Sequence, residues 1–163
     1  AVHKNIHLGL EYDTDPIEVW IDRSNFDKVL VNLLSNAFKY THVGGNIVIH
    51  ITHDSHELKI AVSDDGEHIP EDKLCSIFDR FYQLPTKSND LNVGTGIGLD
   101  LSRSIIELHY GSIVAHNLSK GCEFVITLPL GNSHLKQVIV FYQSISVHAI
   151  QIQMMPLRRH GKL

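Results

Sequence analysis

Two runs of alternating apolar and polar residues, NIVIHITH from Asn46 and ELKIAVSD from Glu57, narrow most sharply what this chain can become. A period of two puts one set of side chains on one side of a strand, so the pair reads as an antiparallel hairpin with a single apolar face. Such a face has to be covered. The stretch just before it supplies the cover. After the candidate N-caps Asp22 and Ser24, the residues Phe26, Val29, Leu30, Leu33, Leu34 and Ala37 recur with helical spacing until about Tyr40, ahead of Gly44-Gly45.

The remaining elements extend this pattern. Two short strand-like runs lie between Ile6 and Ile21, parted by the turn-rich DTDP, with IEVWI the clearer. Pro70 opens a short helix through Phe78. Helical spacing returns at Ile97, Leu101, Ile105 and Leu108, with Gly111 as the C-terminal stop. SIVAHN and CEFVITLPL then read as closing strands around a turn at Ser119 to Gly121. Helices gathered on one face of a mostly antiparallel sheet is the economical arrangement. From Gln83 to Thr95 there is no periodicity, and a polar segment of that length inside a small domain reads as a functional loop or lid. Residues 1–130 form the domain. Residues 131–163, apolar at first and ending in PLRRHGKL, read as a linker, an extra edge element or appended sequence.

Composition excludes several classes. With a net charge of −4 and no basic stripe, a nucleic-acid partner is not expected. The two cysteines, Cys75 and Cys122, lack metal-type spacing and are too few for a disulfide framework, which suits a reducing cytosol. No run approaches the ~20 apolar residues of a membrane span, so an anchor is expected outside this chain. Among the 12 histidines, His50, His53 and His56 border the turn between two strands and read as exposed residues, not as a zinc site.

Three features carry chemistry. Asn32, Asn36 and Lys39 make one polar stripe on the long helix, bordered by Ser35. Asparagine is a mediocre helix former, and the stripe offers a neutral amide oxygen for magnesium and a cation for phosphate. Asp64-Asp65-Gly66 ends a strand in VSDDGEHIP, where a carboxylate can accept from an exocyclic amine while the backbone comes close to a flat ring. Gly94-Thr95-Gly96-Ile97-Gly98-Leu99 closes the polar loop and opens a helix, where main-chain amides can meet phosphate oxygens.

In order and spacing, NLLSNAFKYT, VSDDGEHIP, IFDRFYQ, GTGIGLDLSRSIIELHYG and SKGCEFVITLPL resemble the N box, first glycine box, F box, second glycine box and third glycine box of sensor histidine kinase catalytic domains, in the GHKL superfamily. The resemblance runs from roughly Lys4 to Leu130. FDRFYQ and the form of the N box favour that branch over the gyrase, heat-shock chaperone and mismatch-repair branches. The resemblance implies the Bergerat ATP-binding fold: an α/β (α+β) two-layer sandwich whose mixed, mostly antiparallel sheet is covered on one face by three helices. It implies ATP and Mg²⁺ as cofactors. Asn36 would hold the magnesium and, with Lys39, serve transfer; Tyr40 and Ile69 would wall the adenine pocket. Asp64 would accept the adenine amino group and Gly66 would allow close approach. Gly94, Thr95, Gly96, Ile97, Gly98 and Leu99 would hold the triphosphate under the lid. Phe78, Arg80 and Phe81 form the F box, where ordinary core aromatics are an equal reading.

Asn32 stands where the hydrolysing branches carry a glutamate base. An amide cannot take a proton from water, so the γ-phosphoryl is kept for another acceptor. That acceptor would be a histidine on a separate helical domain, followed by a response regulator receiver, in the cytoplasmic part of a membrane-anchored bacterial kinase. No phosphoacceptor box precedes Asn32 here. Two departures stand out. His68 replaces the second glycine of the first glycine box, so that His68→Gly is expected to tighten ATP binding. Cys122 stands where Ser or Thr commonly follows the glycine of the third, removing a possible phosphate hydroxyl. The alternative readings are a degenerate nucleotide-binding module without transfer, or a GHKL ATPase.

Overall fold

The computed structural model describes residues 5–13, 17–82, 98–131 and 143–146. Strands β1 (His7–Tyr12), β3 (Asn46–His53), β4 (Glu57–Asp64), β5 (Ser112–Asn117) and β6 (Cys122–Pro129) form a five-stranded sheet in the order β1-β3-β4-β6-β5. The β1–β3 pair is parallel and the other three pairs are antiparallel, giving the mixed, mostly antiparallel sheet expected. Strand β2 (Glu18–Ile21) stands apart and pairs antiparallel with β7 (Gln143–Ser146).

The sequence alternation becomes a two-sided sheet. Ile49 opposes Val62, Ile60 opposes Ile126, and Val62 opposes Phe124. All are buried, and each fully buried aliphatic side chain contributes roughly 1.5–3 kcal/mol. On the other face His50, Lys59 and Val114 are exposed. Helices α1 (Arg23–Tyr40) and α2 (Gly98–Leu108) pack together on the apolar face, over β4 and β5 respectively. Phe26, Val29, Leu33 and Ala37 from α1, with Ile105 and Ile106 from α2, fill the space between layers.

Asp22 caps α1, its carboxylate accepting from Asn25 N–H at 3.1 Å. Thr41 closes the other end, its N–H and hydroxyl both given to the Ala37 carbonyl, at 2.9 and 2.6 Å.

Two expectations are refined. The helix expected over Pro70–Phe78 is a pair of 3-10 turns, Glu71–Lys73 and Ser76–Phe78, so the described residues hold two α-helices. Only Ile77 and Phe78 of these turns are buried, too little apolar face to hold a longer helix against the sheet. At the end of α2, the left-handed residue is Tyr110 (φ 60°), not Gly111. Gly111 N–H reaches back to Ile106 C=O and Tyr110 N–H to Glu107 C=O, a Schellman closure. Gly111 is required for proximity, since a Cβ there would overlap the Thr127 carbonyl of β6.

Candidate functional site

Strand β4 ends on Asp64, which is cross-strand partner to Cys122 of β6, itself partner to Asn117 of β5. Directly opposed residues project to the same face, so one end of the sheet presents a carboxylate, a thiol and an amide in a row. Asp64 is 5% exposed. Its Oδ1 accepts from Gly66 N–H at 2.9 Å and its Oδ2 lies 3.4 Å from the Cys122 thiol. Burial pushes the Asp64 carboxyl above the usual range, outweighing the Gly66 N–H and the thiol, which pull it down. Burial, and then the charge of Asp64, push the Cys122 thiol up to about 12, so it remains a neutral donor at neutral pH. A carboxylate offers about four acceptor positions, and these two donors leave room for a ligand N–H.

Glycine is needed beside this carboxylate. A Cβ on Gly66 would overlap the Tyr40 carbonyl at the end of α1 and come within 2.8 Å of Asp64 Oδ1. Gly121, with φ 71°, turns the chain so that it presses on the Asp64 carbonyl. Asp65 points away to the surface turn, accepting from Asn46 N–H at 2.9 Å and Asn46 Nδ2 at 2.8 Å, which hold its carboxyl below the usual range.

The chain beyond Gly66 returns over the sheet end at Ile69, which is buried. Ile69 N–H donates to Asn117 Oδ1 at 2.9 Å, and Asn117 Nδ2 donates to Ile69 C=O at 2.7 Å. His68 is exposed, and its φ lies outside the left-handed range. The backbone therefore needs no glycine at position 68.

Further back along α1, α2 begins against it. A Cβ on Gly98 would overlap Asn32 Oδ1, so any other residue there would displace the Asn32 amide. Asn32 Nδ2 donates to Ser102 Oγ at 2.9 Å, and Ser102 donates to Gly98 C=O at 2.8 Å. Asn36, one turn along α1, is half-buried, and its side chain makes no hydrogen bond among the described residues. Lys39 Nζ lies 5.0 Å from the Tyr40 ring centroid. Leu99 packs on the core edge. Gly94, Thr95, Gly96 and Ile97 lie outside the described residues, as does the whole of the expected lid.

The F-box residues divide. Phe78 is buried and meets Phe124 edge-on at 6.2 Å, whereas Phe81 is 64% exposed with φ 65° under the Arg80 guanidinium, 4.9 Å from its ring centroid. The fold thus gathers Tyr40, Asp64, Gly66, Ile69 and Cys122 at one end, and Asn32, Asn36, Gly98 and Leu99 at the other. Cys122 lies against Asp64, its thiol 3.4 Å from the carboxylate. A shallow depression lined by Glu57, Tyr110 and Ser112 sits at the far end of β5 and β6 and shares none of these groups. Among the described residues no cluster of three or more His, Cys, Asp or Glu side chains could hold a metal.

Ser102 and Asn117 escaped the sequence. Each acts on a partner 70 or 48 residues away, and neither breaks a local pattern.

Residues 21–132 match the family profile described as histidine kinase-, DNA gyrase B-, and HSP90-like ATPase. Histidine kinase P4 of Formosa agariphila is 37% identical over 96% of this chain, which spans 12% of that relative's length. The solved catalytic domain of histidine kinase ThkA is 33% identical, with a TM-score of 0.69 over 78% of this chain and 82% of that one. ThkA crystallised in complex with response regulator protein TrrA is matched over 78% of this chain and 35% of that one, with 29% identity and a TM-score of 0.66.

Proposed function

The chain belongs to the family of histidine kinase-, DNA gyrase B- and HSP90-like ATPases, as a histidine kinase catalytic domain, and from that membership we propose how its residues work. It binds ATP and presents the γ-phosphoryl to a histidine on a separate helical domain of the same kinase. The observation that carries this reading is the buried Asp64 at a sheet end, with two neutral donors already on it and Gly66 pressed to the Tyr40 carbonyl. A flat ring bearing an amino group satisfies the remaining acceptor positions.

The N-terminus of α2, brought to α1 by Gly98, has main-chain N–H groups and a favourable helix dipole for phosphate. Lys39 adds a cation on the same stripe. Asn36 fits a magnesium ion: its amide oxygen is a hard, neutral ligand with no hydrogen bond among the described residues. Bound there, Mg²⁺ would offset phosphate charge. Asn32 has no basic atom, and its amide is engaged by Ser102, so nothing on this stripe takes a proton from water. The protein contributes position and charge, and the acceptor histidine is the nucleophile.

In the whole protein this domain sits on the cytoplasmic side of a membrane-anchored bacterial sensor kinase, and the phosphoryl passes on to a response regulator. Residues 1–130 are the catalytic unit, and the β2–β7 pairing supports an extra edge element within 131–163.

The test is a calorimetric titration with Mg-ATP, together with phosphotransfer to a supplied helical hairpin bearing a histidine. Wild-type protein binds and transfers; Asn36→Ala loses Mg-ATP binding. Unchanged affinity in Asn36→Ala removes the assignment.

A further inference from the structure

We propose that Asn117 is a positioning residue for the base end of the nucleotide site, acting through the main chain of Ile69. The inference rests on the ATP-binding reading above. Asn117 stands in the same cross-strand row as Asp64 and Cys122, at the last position of β5. Its amide does for Ile69 what a neighbouring strand would do, accepting from the N–H at 2.9 Å and donating to the C=O at 2.7 Å.

That pairing matters because, among the described residues, nothing else holds this loop by hydrogen bonds. Among the described residues, the main chain of Glu67, His68 and Ile69 makes no other hydrogen bond, and the next ties lie at Gly66, to Asp64, and at Pro70, to Lys73. Ile69 is buried and its loop leaves Asp64 through Gly66, so that loop decides how far the Ile69 side chain stands from a ring hydrogen-bonded to the carboxylate. Ordering the loop before the ligand arrives removes an entropic cost from binding. The groups facing phosphate, at Asn36 and Gly98, belong to α1 and α2 and do not depend on this clamp.

The geometry separates Asn117 from a merely structural residue. Asn117→Asp is nearly isosteric and keeps the acceptor for Ile69 N–H, but it sets a carboxylate oxygen against the Ile69 carbonyl. We expect Asn117→Asp and Asn117→Ala in the full chain to weaken Mg-ATP binding about tenfold, as loss of one or two buried hydrogen bonds does. Affinity for magnesium tripolyphosphate, which lacks a base, should stay within about twofold of wild type. Hydrogen exchange on the wild-type protein gives a second readout that needs no variant: the Ile69 amide, although in a loop, is protected.

ATP affinity in Asn117→Asp equal to wild type, or ATP and tripolyphosphate weakened together, overturns the proposal. So does an Ile69 amide that exchanges as freely as its loop neighbours. Wild-type protein that fails to bind ATP sinks the parent reading as well, whereas wild-type binding with an indifferent Asn117→Asp sinks this inference alone.

Discussion

Asn32 Nδ2 and Ser102 Oγ are 2.9 Å apart, and this bond ties the middle of α1 to α2 one turn after Gly98. On the proposed reading, in which Asn32 stands where related ATPases carry a general base, that residue is both non-basic and occupied. Asn32→Glu should raise Mg-ATP hydrolysis at least about tenfold, since a positioned base commonly contributes 10²–10⁴. Asn32→Ala should leave hydrolysis as low as in wild type and cost about 1 kcal/mol of stability, the worth of one partly buried hydrogen bond. Phosphate release and urea midpoints measure the two effects. Hydrolysis that stays flat in Asn32→Glu while ATP still binds would show that Asn32 is not what spares the nucleotide from water.

On the proposed reading, Asp64 trades stability for binding. Its carboxyl is pushed up, chiefly by burial, so the folded state favours the protonated form relative to the unfolded chain. The stability it lends is present below its unfolded value, roughly 3.9, and is lost as pH rises through the folded one. At pH 7 the ionised group opposes folding. Asp64→Asn should then fold at least as stably as wild type at pH 7, with the advantage shrinking towards pH 4. The same change should weaken ATP at least about tenfold, as a hydrogen bond to a charged acceptor is lost. A large drop in the urea midpoint at pH 7 contradicts this account.

What the sequence disclosed and what it hid follow from the range of the interactions. The alternation of Ile47, Ile49 and Ile51, and the 3.6 spacing from Phe26 to Ala37, are local, and both became buried faces. The Asn32, Asn36 and Lys39 stripe was likewise visible because helical geometry alone aligns it. The contact of Cys122 with Asp64 is hidden in the sequence because it depends on strand pairing across 58 residues. Gly111 looked like a helix stop, yet its cause is the Thr127 carbonyl in another strand. His109 had no local signature, since its contact with Asp22 spans 87 residues.

His109 joins the two helices at their far ends. Its Nδ1 donates to Ile105 C=O at 2.6 Å, and its Nε2 accepts from Asp22 N–H, at the cap of α1, at 2.8 Å. Only the neutral tautomer with the proton on Nδ1 makes both bonds. In His109→Ala the Ile105 carbonyl still receives the main-chain N–H of residue 109 at 3.3 Å, but Asp22 N–H loses its acceptor and a cavity opens. We expect a loss of roughly 2–4 kcal/mol in urea unfolding, combining the unsatisfied donor with the cavity. A loss below about 0.5 kcal/mol, the scale of an ordinary surface substitution, would mean that the bridge carries no stability.

The two thiols should differ sharply towards an alkylating reagent. Cys75 is exposed, while Cys122 is buried against Asp64, with its pKa pushed up to about 12. Alkylation proceeds through the thiolate, so Cys122 is doubly protected, by access and by protonation. Intact-mass measurement after brief iodoacetamide treatment at pH 7.5 should find one adduct on folded protein and two in urea. Cys122→Ser should remain folded and keep a donor on Asp64, since a hydroxyl can take over the bond now made by the thiol. If folded wild-type protein instead gains its second adduct as fast as the first, the thiol is not sealed against the carboxylate, and the ligand-facing side of Asp64 is open to solvent at Cys122.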